Sequence, residues 1–204
     1  MADLIQAIIF DFGNVQYRFH NDRFLAGLAA LCGRPAAELQ RAIYEASTLN
    51  QDYETGRIDS AAFLAGVGAL CGQELPEAAF IKAYTDIFTP IESTLELIQE
   101  LKANYRIGLL SNTSPWHFEH AIRRAPVFPL YDTVTLSYDV RASKPQPEIY
   151  EDALRKLALP PEACVYIDDL APFAQAATRQ GLHGITYTTP AALLAELRLL
   201  KVAC

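Results

Sequence analysis

Asp11 stands at the end of the apolar run Ile8-Ile9-Phe10, and three further polar clusters lie later in the chain. Ser111-Asn112-Thr113-Ser114 follows Ile107-Gly108-Leu109-Leu110, Asp168-Asp169 follows Val165-Tyr166-Ile167, and Lys144-Pro145 precedes a helical pattern that begins at Pro147. Taken singly, each is ordinary. An Asp after a strand serves turns and caps, Ser-Asn-Thr-Ser before Pro115 reads as an N-cap with proline at N1, Lys144 as a solvated lysine, and Asp168-Asp169 as the cap of the next helix. Together they supply a nucleophilic carboxylate, a hydroxyl donor, an ammonium group and a carboxylate pair, which suits phosphoryl chemistry. Carboxylates hold a hard cation such as Mg²⁺ through oxygen ligands, while Lys144, Ser111 and backbone N–H groups at a helix start bind phosphate oxygens. Without the cation and the lysine, Asp11 would repel an anionic substrate.

Such a constellation needs elements that bring its members to one place. Residues 4–10 form a continuous isoleucine-rich run, the pattern of a parallel strand buried on both faces, and similar runs occur at 106–110, 133–136, 164–167 and 184–187. Between them lie helical patterns, as at 147–157, where apolar residues recur three, four and eight apart. Strand alternating with helix predicts an α/β fold with a doubly wound parallel sheet. Residues 15–90 break the alternation: they read as several short helices with no strand candidate, separated by glycine turns such as Cys32-Gly33-Arg34-Pro35 and Glu54-Thr55-Gly56-Arg57. The predicted organisation is a discontinuous Rossmann-like core, 1–14 and 91–204, with an all-helical cap at 15–90 closing over the carboxyl edge of the sheet, where ligands of open α/β sheets bind.

Composition narrows the function classes. The chain has 204 residues, half of them apolar, and a formal charge of −7. That charge opposes nucleic-acid binding, which draws on Lys and Arg to neutralise phosphates. No apolar run approaches the roughly 20 residues that cross a bilayer, and no basic leader precedes the first strand. The expectation is a cytoplasmic protein whose partner is a small molecule, with no nucleic acid and no membrane. Cys32, Cys71, Cys164 and Cys204 are scattered without metal-site spacing and read as buried or idle thiols. Leu31-Cys32-Gly33 and Leu70-Cys71-Gly72 each read as a helix end followed by a glycine able to take the left-handed conformation.

With these four motifs in this order, the sequence resembles the haloacid dehalogenase-like hydrolase superfamily over nearly its whole length, in its helical-cap subfamily. The motifs are Ile8-Ile9-Phe10-Asp11-Phe12-Gly13-Asn14-Val15, Leu109-Leu110-Ser111-Asn112, Lys144-Pro145-Gln146-Pro147-Glu148-Ile149-Tyr150 and Tyr166-Ile167-Asp168-Asp169. The resemblance implies an Mg²⁺-dependent phosphatase acting on a small phosphate ester through an aspartyl phosphate. It makes Asp11 nucleophile and metal ligand, Ser111 and the Asn112 backbone the phosphate cradle, and Lys144 the neutraliser of both. It gives the Gly13 carbonyl and Asp169, supported by Asp168, to the metal.

The chain departs from that pattern at Gly13, where phosphatases of the superfamily carry an aspartate that protonates the leaving group. Glycine keeps the backbone carbonyl and removes a general acid worth roughly 10²- to 10⁴-fold. Haloacid dehalogenases also lack this aspartate, but they place Ser and Asn where this chain has Asp168-Asp169. Phosphonoacetaldehyde hydrolases use a cap lysine, and the one lysine between residues 15 and 90 is Lys82, in the last cap helix. Asp11-Phe12-Gly13 spells a kinase metal triplet without the kinase loops around it. A binding protein that kept the fold without activity is the remaining rival. The bacterial α-D-glucose-1-phosphate phosphatase group shares the Phe-Asp-x-Gly-Asn-Val and Ser-Asn-Thr forms, so the resemblance points to anomeric, aryl or acyl phosphates, whose departure depends less on protonation. Tyr17, His20 and His117 are candidate substitute acids beside their readings as packing or surface residues, and Glu54 or Arg57 would read the substrate if the turn at 52–57 faces the site rather than solvent.

Overall fold

A computed structural model describes residues 4–203. Strand β1 (Ala7–Phe10) opens the chain, which leaves through β2 (Tyr17–Phe19) into helices α1 (Asn21–Cys32), α2 (Ala36–Gln40), α3 (Leu49–Glu54), α4 (Ser60–Cys71) and α5 (Glu77–Thr85) and returns through β3 (Phe88–Pro90). It continues as α6 (Glu92–Leu101), β4 (Arg106–Ser111), α7 (Pro115–His120), β5 (Thr133–Leu136), α8 (Ser137–Val140) and α9 (Pro147–Leu157). The last elements are β6 (Cys164–Asp168), α10 (Ala171–Arg179), β7 (His183–Thr186) and α11 (Pro190–Leu199).

Five strands form one parallel sheet in the order β5-β4-β1-β6-β7. The chain runs outward from β1 to β5 on one side and then to β7 on the other, so the strand order reverses at β1, the position where open α/β sheets form their crevice. Both faces are covered, which is why β1 is apolar without alternation. Ile8, Phe10, Leu109 and Ile167 pack on one side, and Ala7, Ile9, Leu110 and Tyr166 on the other. Each fully buried Ile or Phe contributes about 1.5–3 kcal/mol.

The helices between β2 and β3 surround their own apolar cluster, with Phe24, Leu28, Phe63, Phe80 and Tyr84 at its centre. Trp116 of α7 joins this cluster, 5.7 Å from the Phe80 ring and 5.9 Å from that of Tyr53. Helices α1 and α4 end at Gly33 and Gly72, both left-handed. Asp59 caps α4, accepting from Ala62 N at 2.8 Å, and Ser114 caps α7 with Pro115 at its first position. No helix among the described residues is long and apolar enough to cross a membrane. Cys71 and Cys164 are buried and Cys32 partly so, all free, while Cys204 lies outside the described residues.

Two expectations change. Residues 15–90 are not wholly helical: β2 pairs antiparallel with β3, Tyr17 opposite Pro90 and Phe19 opposite Phe88, making a two-stranded ribbon where the chain leaves and re-enters the sheet. Three-residue strands are too short to print a period on the sequence, and they pair across the whole insertion. The first strand starts at Ala7, not at residue 4, and Leu4 is 74% exposed.

Candidate active site at the carboxyl edge of the sheet

Asp11 follows the central strand directly. Its N–H donates to the Ile167 carbonyl at 2.9 Å, and its own carbonyl accepts from Gln16 Nε2 at 2.9 Å. Gln16 is in turn held by Tyr131 Oη, 2.6 Å from its Oε1. Because Phe10 lies opposite Ile167, Asp11 and Asp168 fall side by side at the same level of adjacent parallel strands. Ser111 closes β4 on the other flank.

Lys144 Nζ bridges the two carboxylates, 2.9 Å from Asp11 Oδ1 and 2.7 Å from Asp168 Oδ2. It is buried, and its ammonium lies 5.2 Å from the Phe173 ring centroid. Asn112 fixes the backbone that presents it: Lys144 N donates to Asn112 Oδ1 at 2.8 Å, and Asn112 Nδ2 donates to the Lys144 carbonyl at 3.3 Å. Asp168 is fully buried with both oxygens engaged, Oδ2 by Lys144 and the Tyr166 hydroxyl, Oδ1 by Leu170 N at 2.9 Å. Asp169 is only partly buried and accepts from Asn14 Nδ2 at 3.2 Å. Asn14 is left-handed with φ 53°, a conformation Asn tolerates.

Ligand oxygens of Asp11, Asp168 and Asp169 lie within 4.8 Å of one another. Three carboxylates therefore face one ammonium. Burial pushes Asp11 up to about 7, opposed by Lys144 and reinforced by Asp168. Burial alone would lower Lys144, but the charges of Asp11 and Asp168 outweigh it and hold the lysine above its ordinary value. Burial also raises Asp169, against its hydrogen bond from Asn14.

These groups open into a cavity of about 280 Å³. Asp11, Gly13, Ser111, Asn112, Lys144 and Asp169 line its floor, and Phe19, Glu54, Phe88, His117 and Phe173 are among its other walls. A larger groove of about 810 Å³ runs along α4 beside Trp116, and none of the site residues lines it.

Glu54 therefore sits at the site, where a solvated turn was the competing expectation, while Arg57 is exposed and paired with Asp52 at 2.8 Å. Tyr17 is packed, its ring stacked on Phe12 at 4.5 Å. His20 is not among the lining residues. Lys82 is exposed and paired with Asp86 at 3.0 Å. His117 is buried, with Nε2 2.9 Å from the Tyr84 carbonyl and its ring stacked on Tyr84 at 4.0 Å. Burial pulls it down to about 4, so near neutrality it is uncharged and donates its Nε2–H to that carbonyl. Sequence reasoning missed the aromatic walls Phe19, Phe88 and Phe173 and the tie through Asn14. Only Asn14 carried a local signal, since an Asn following Gly at a strand end suits a left-handed turn.

The cap turn is seated on the sheet. The Ser137 hydroxyl accepts from Thr113 N at 2.9 Å and lies 2.5 Å from the Glu54 carbonyl, so one side chain joins the cap to the loop after β4. Gly56 has φ +65°, and a Cβ added there would come 2.3 Å from the Tyr138 carbonyl oxygen. Gly56→Ala is expected to destabilise the protein by about 1–3 kcal/mol and to slow turnover by lifting the turn. Chemical denaturation and steady-state assays check this; a variant with unchanged stability and rate would show that the turn is not held against Tyr138.

Comparison with known proteins gives three kinds of likeness. The family model described as "Hydrolase: haloacid dehalogenase-like hydrolase" matches residues 5–181. Among curated relatives, D-ribitol-5-phosphate phosphatase of Bacteroides thetaiotaomicron is 28% identical over 173 residues, covering 81% of this chain and 84% of that one. Among solved structures, a predicted HAD-like family hydrolase from Porphyromonas gingivalis superposes with a TM-score of 0.82 at 24% identity, covering 97% and 98% of the two chains. A HAD family enzyme from Bacteroides thetaiotaomicron, in complex with magnesium and inorganic phosphate, superposes with a TM-score of 0.79 at 21% identity, covering 90% and 94%.

Proposed function

The chain belongs to the haloacid dehalogenase-like hydrolases, and from that premise we propose that it is a magnesium-dependent phosphatase of a small phosphorylated metabolite, working through an aspartyl phosphate on Asp11. The observation that carries this reading is the Asp11–Lys144–Asp168 clasp beside Asp169, three carboxylates gathered around one ammonium, with Asp11, Lys144 and Asp169 lining a cavity and Asp168 enclosed behind them. That donor set fits Mg²⁺: the ligands are hard oxygens, and a divalent cation offsets the excess negative charge. Asp11, the Gly13 carbonyl and Asp169 would hold the ion, with Asp168 positioning Lys144, since both Asp168 oxygens are already engaged. When bound, the ion neutralises phosphate oxygens and so lets a carboxylate approach them.

The protein's own groups do the rest. Lys144 and the Ser111 hydroxyl clamp the phosphoryl oxygens, and Asp11 attacks phosphorus in line as the ester oxygen departs. Water then hydrolyses the acyl phosphate and frees Asp11. The helical insertion, residues 15–90, supplies the far wall and thereby the choice of substrate. A sugar or polyol phosphate, including a sugar 1-phosphate, suits the cavity's size, and one relative is a polyol-phosphate phosphatase by name. The acidic pair disfavours dehalogenation, because a leaving halide needs no cation.

Phosphate release from p-nitrophenyl phosphate, glucose 1-phosphate and D-ribitol 5-phosphate is expected with Mg²⁺ and not with EDTA. Wild type inert across a broad phosphate panel with Mg²⁺ present would sink the reading and favour a non-catalytic binding role. A thermal shift adds a test independent of turnover. Asp11 is raised in the folded state, so its contribution to stability is full below about 3.8 and is lost as pH climbs through about 7. Magnesium is therefore expected to raise Tm more at pH 8 than at pH 5, where protons compete for the same oxygens.

A further inference from the structure

Gly13 leaves the ester oxygen without a proton donor beside the nucleophile, and the cavity narrows the search for a substitute. Tyr17 is stacked in the interior, His20 does not reach the cavity, and His117 is neutral with its Nε2–H committed to a backbone carbonyl. Among the described lining residues, the carboxyls are Asp11, Asp169 and Glu54. The first two have roles in the proposed reaction. Glu54 comes from α3, in the insertion between β2 and β3.

Its placement is built rather than incidental. Glu54 is the last residue of α3, and its carbonyl is tied through Ser137 to Thr113, in the loop that carries Ser111 and Asn112. Gly56, pressed on Tyr138, fixes the exit of the turn, and Thr55 Oγ1 closes it on the Gln51 carbonyl at 2.7 Å. The turn that bears the carboxyl is thus registered against the phosphate loop. Glu54 also interacts electrostatically with Lys144, on the floor of the cavity.

We propose that Glu54 is the general acid of this enzyme, donating from the cap the proton that a side chain at position 13 would otherwise supply. The proposal rests on the phosphatase reading above. As the bond from Asp11 oxygen to phosphorus forms and the bond to the ester oxygen breaks, the Glu54 proton passes to that oxygen and the alcohol leaves. The Glu54 carboxylate then takes a proton from the water that attacks the aspartyl phosphate. Inorganic phosphate, free Asp11 and protonated Glu54 result, so protons and charge balance over the cycle. Burial holds Glu54 above the ordinary carboxylate range, against a hydrogen bond from Asn50 and the charge of Lys144, which suits a group that must carry a proton near neutrality. With an acid in the cap, phosphates of ordinary alcohols become competent substrates, which revises the leaving-group preference drawn from Gly13 alone.

The test compares kcat/KM, which reports the phosphorylation step, for an alkyl phosphate and for p-nitrophenyl phosphate, whose leaving group departs unprotonated. Glu54→Gln is expected to lower the alkyl value by about 10²- to 10⁴-fold and the nitrophenyl value far less, so the ratio collapses. Gly13→Asp in that background is expected to restore the alkyl value, because Gly13 is not left-handed and nothing lies within 4 Å of a Cβ added there. An unchanged ratio in Glu54→Gln, or an equal loss on both substrates, overturns the role of Glu54 and leaves the phosphatase reading standing. Wild type without activity on either substrate overturns both.

Discussion

Asp11→Asn is expected to leave a folded protein that releases phosphate on the order of 10⁴- to 10⁶-fold more slowly than wild type, the scale of losing a catalytic group that acts as part of a unit. Asparagine keeps the shape of the side chain but offers a neutral amide where the proposed reaction needs an attacking carboxylate, so no acyl phosphate is expected. Folding survives for an electrostatic reason. The Asp11 carboxyl is buried and costly to ionise, and Lys144 keeps a second partner in Asp168 at 2.7 Å. The metal-free variant is therefore expected to be at least as stable as wild type at pH 8. Mass spectrometry of acid-quenched wild type is expected to show a phosphoryl group on the peptide containing Asp11, absent from the variant. An Asn variant that still turns over would remove Asp11 from the centre of the mechanism.

Lys144→Met carries the second large effect, and this one falls on stability as well as on rate. Lys144 is the counterion of two buried carboxylates, one fully enclosed. Removing one partner of a buried pair costs about 3–5 kcal/mol because the remaining charge stays desolvated and unpaired. On the proposed mechanism, loss of the lysine as a donor to the phosphoryl group is expected to add about 10²- to 10³-fold in rate. The sign with pH follows from the charge left on Asp11, whose carboxyl burial pushes up to about 7: below that value it is protonated and the penalty shrinks, whereas at pH 8 it is ionised and the penalty is full. Urea denaturation of metal-free protein at pH 5 and pH 8 checks this, with the larger loss expected at pH 8. A loss that is equal at both pH values would argue that the lysine acts through packing alone.

Both variants concern groups that were visible before the fold was known. Asp11, Ser111 and Asp168 each end an apolar run, and in the structure those runs are β1, β4 and β6, adjacent and parallel. A strand buried on both faces writes itself locally as a run of Ile, Leu and Val, so its end is readable within a few residues. Parallel pairing then brings the ends to one edge. Lys144 was readable for a related reason, standing just before a helix that covers the face shared by Ile9 and Tyr166.

The sequence by itself determined the alternation of strand and helix, the chemistry available at the strand ends, and the absence of a side chain at Gly13. All of these are local: they depend on residue type, on unbroken apolar runs and on a period of 3.6. Only the tertiary structure decided which distant residues share space with them. It separated Asp168, enclosed with both oxygens engaged, from Asp169, open to the cavity, though the two are neighbours in the chain. It paired β2 with β3 across the whole insertion and put Trp116 into the cluster formed by the insertion's helices. It also brought Glu54 into the cavity that Gly13 lines, its turn held by the Ser137 hydroxyl and by a glycine with no room for a Cβ. Contacts between residues far apart in the chain follow from packing two apolar clusters against each other, and no spacing along one of them records where the other will lie.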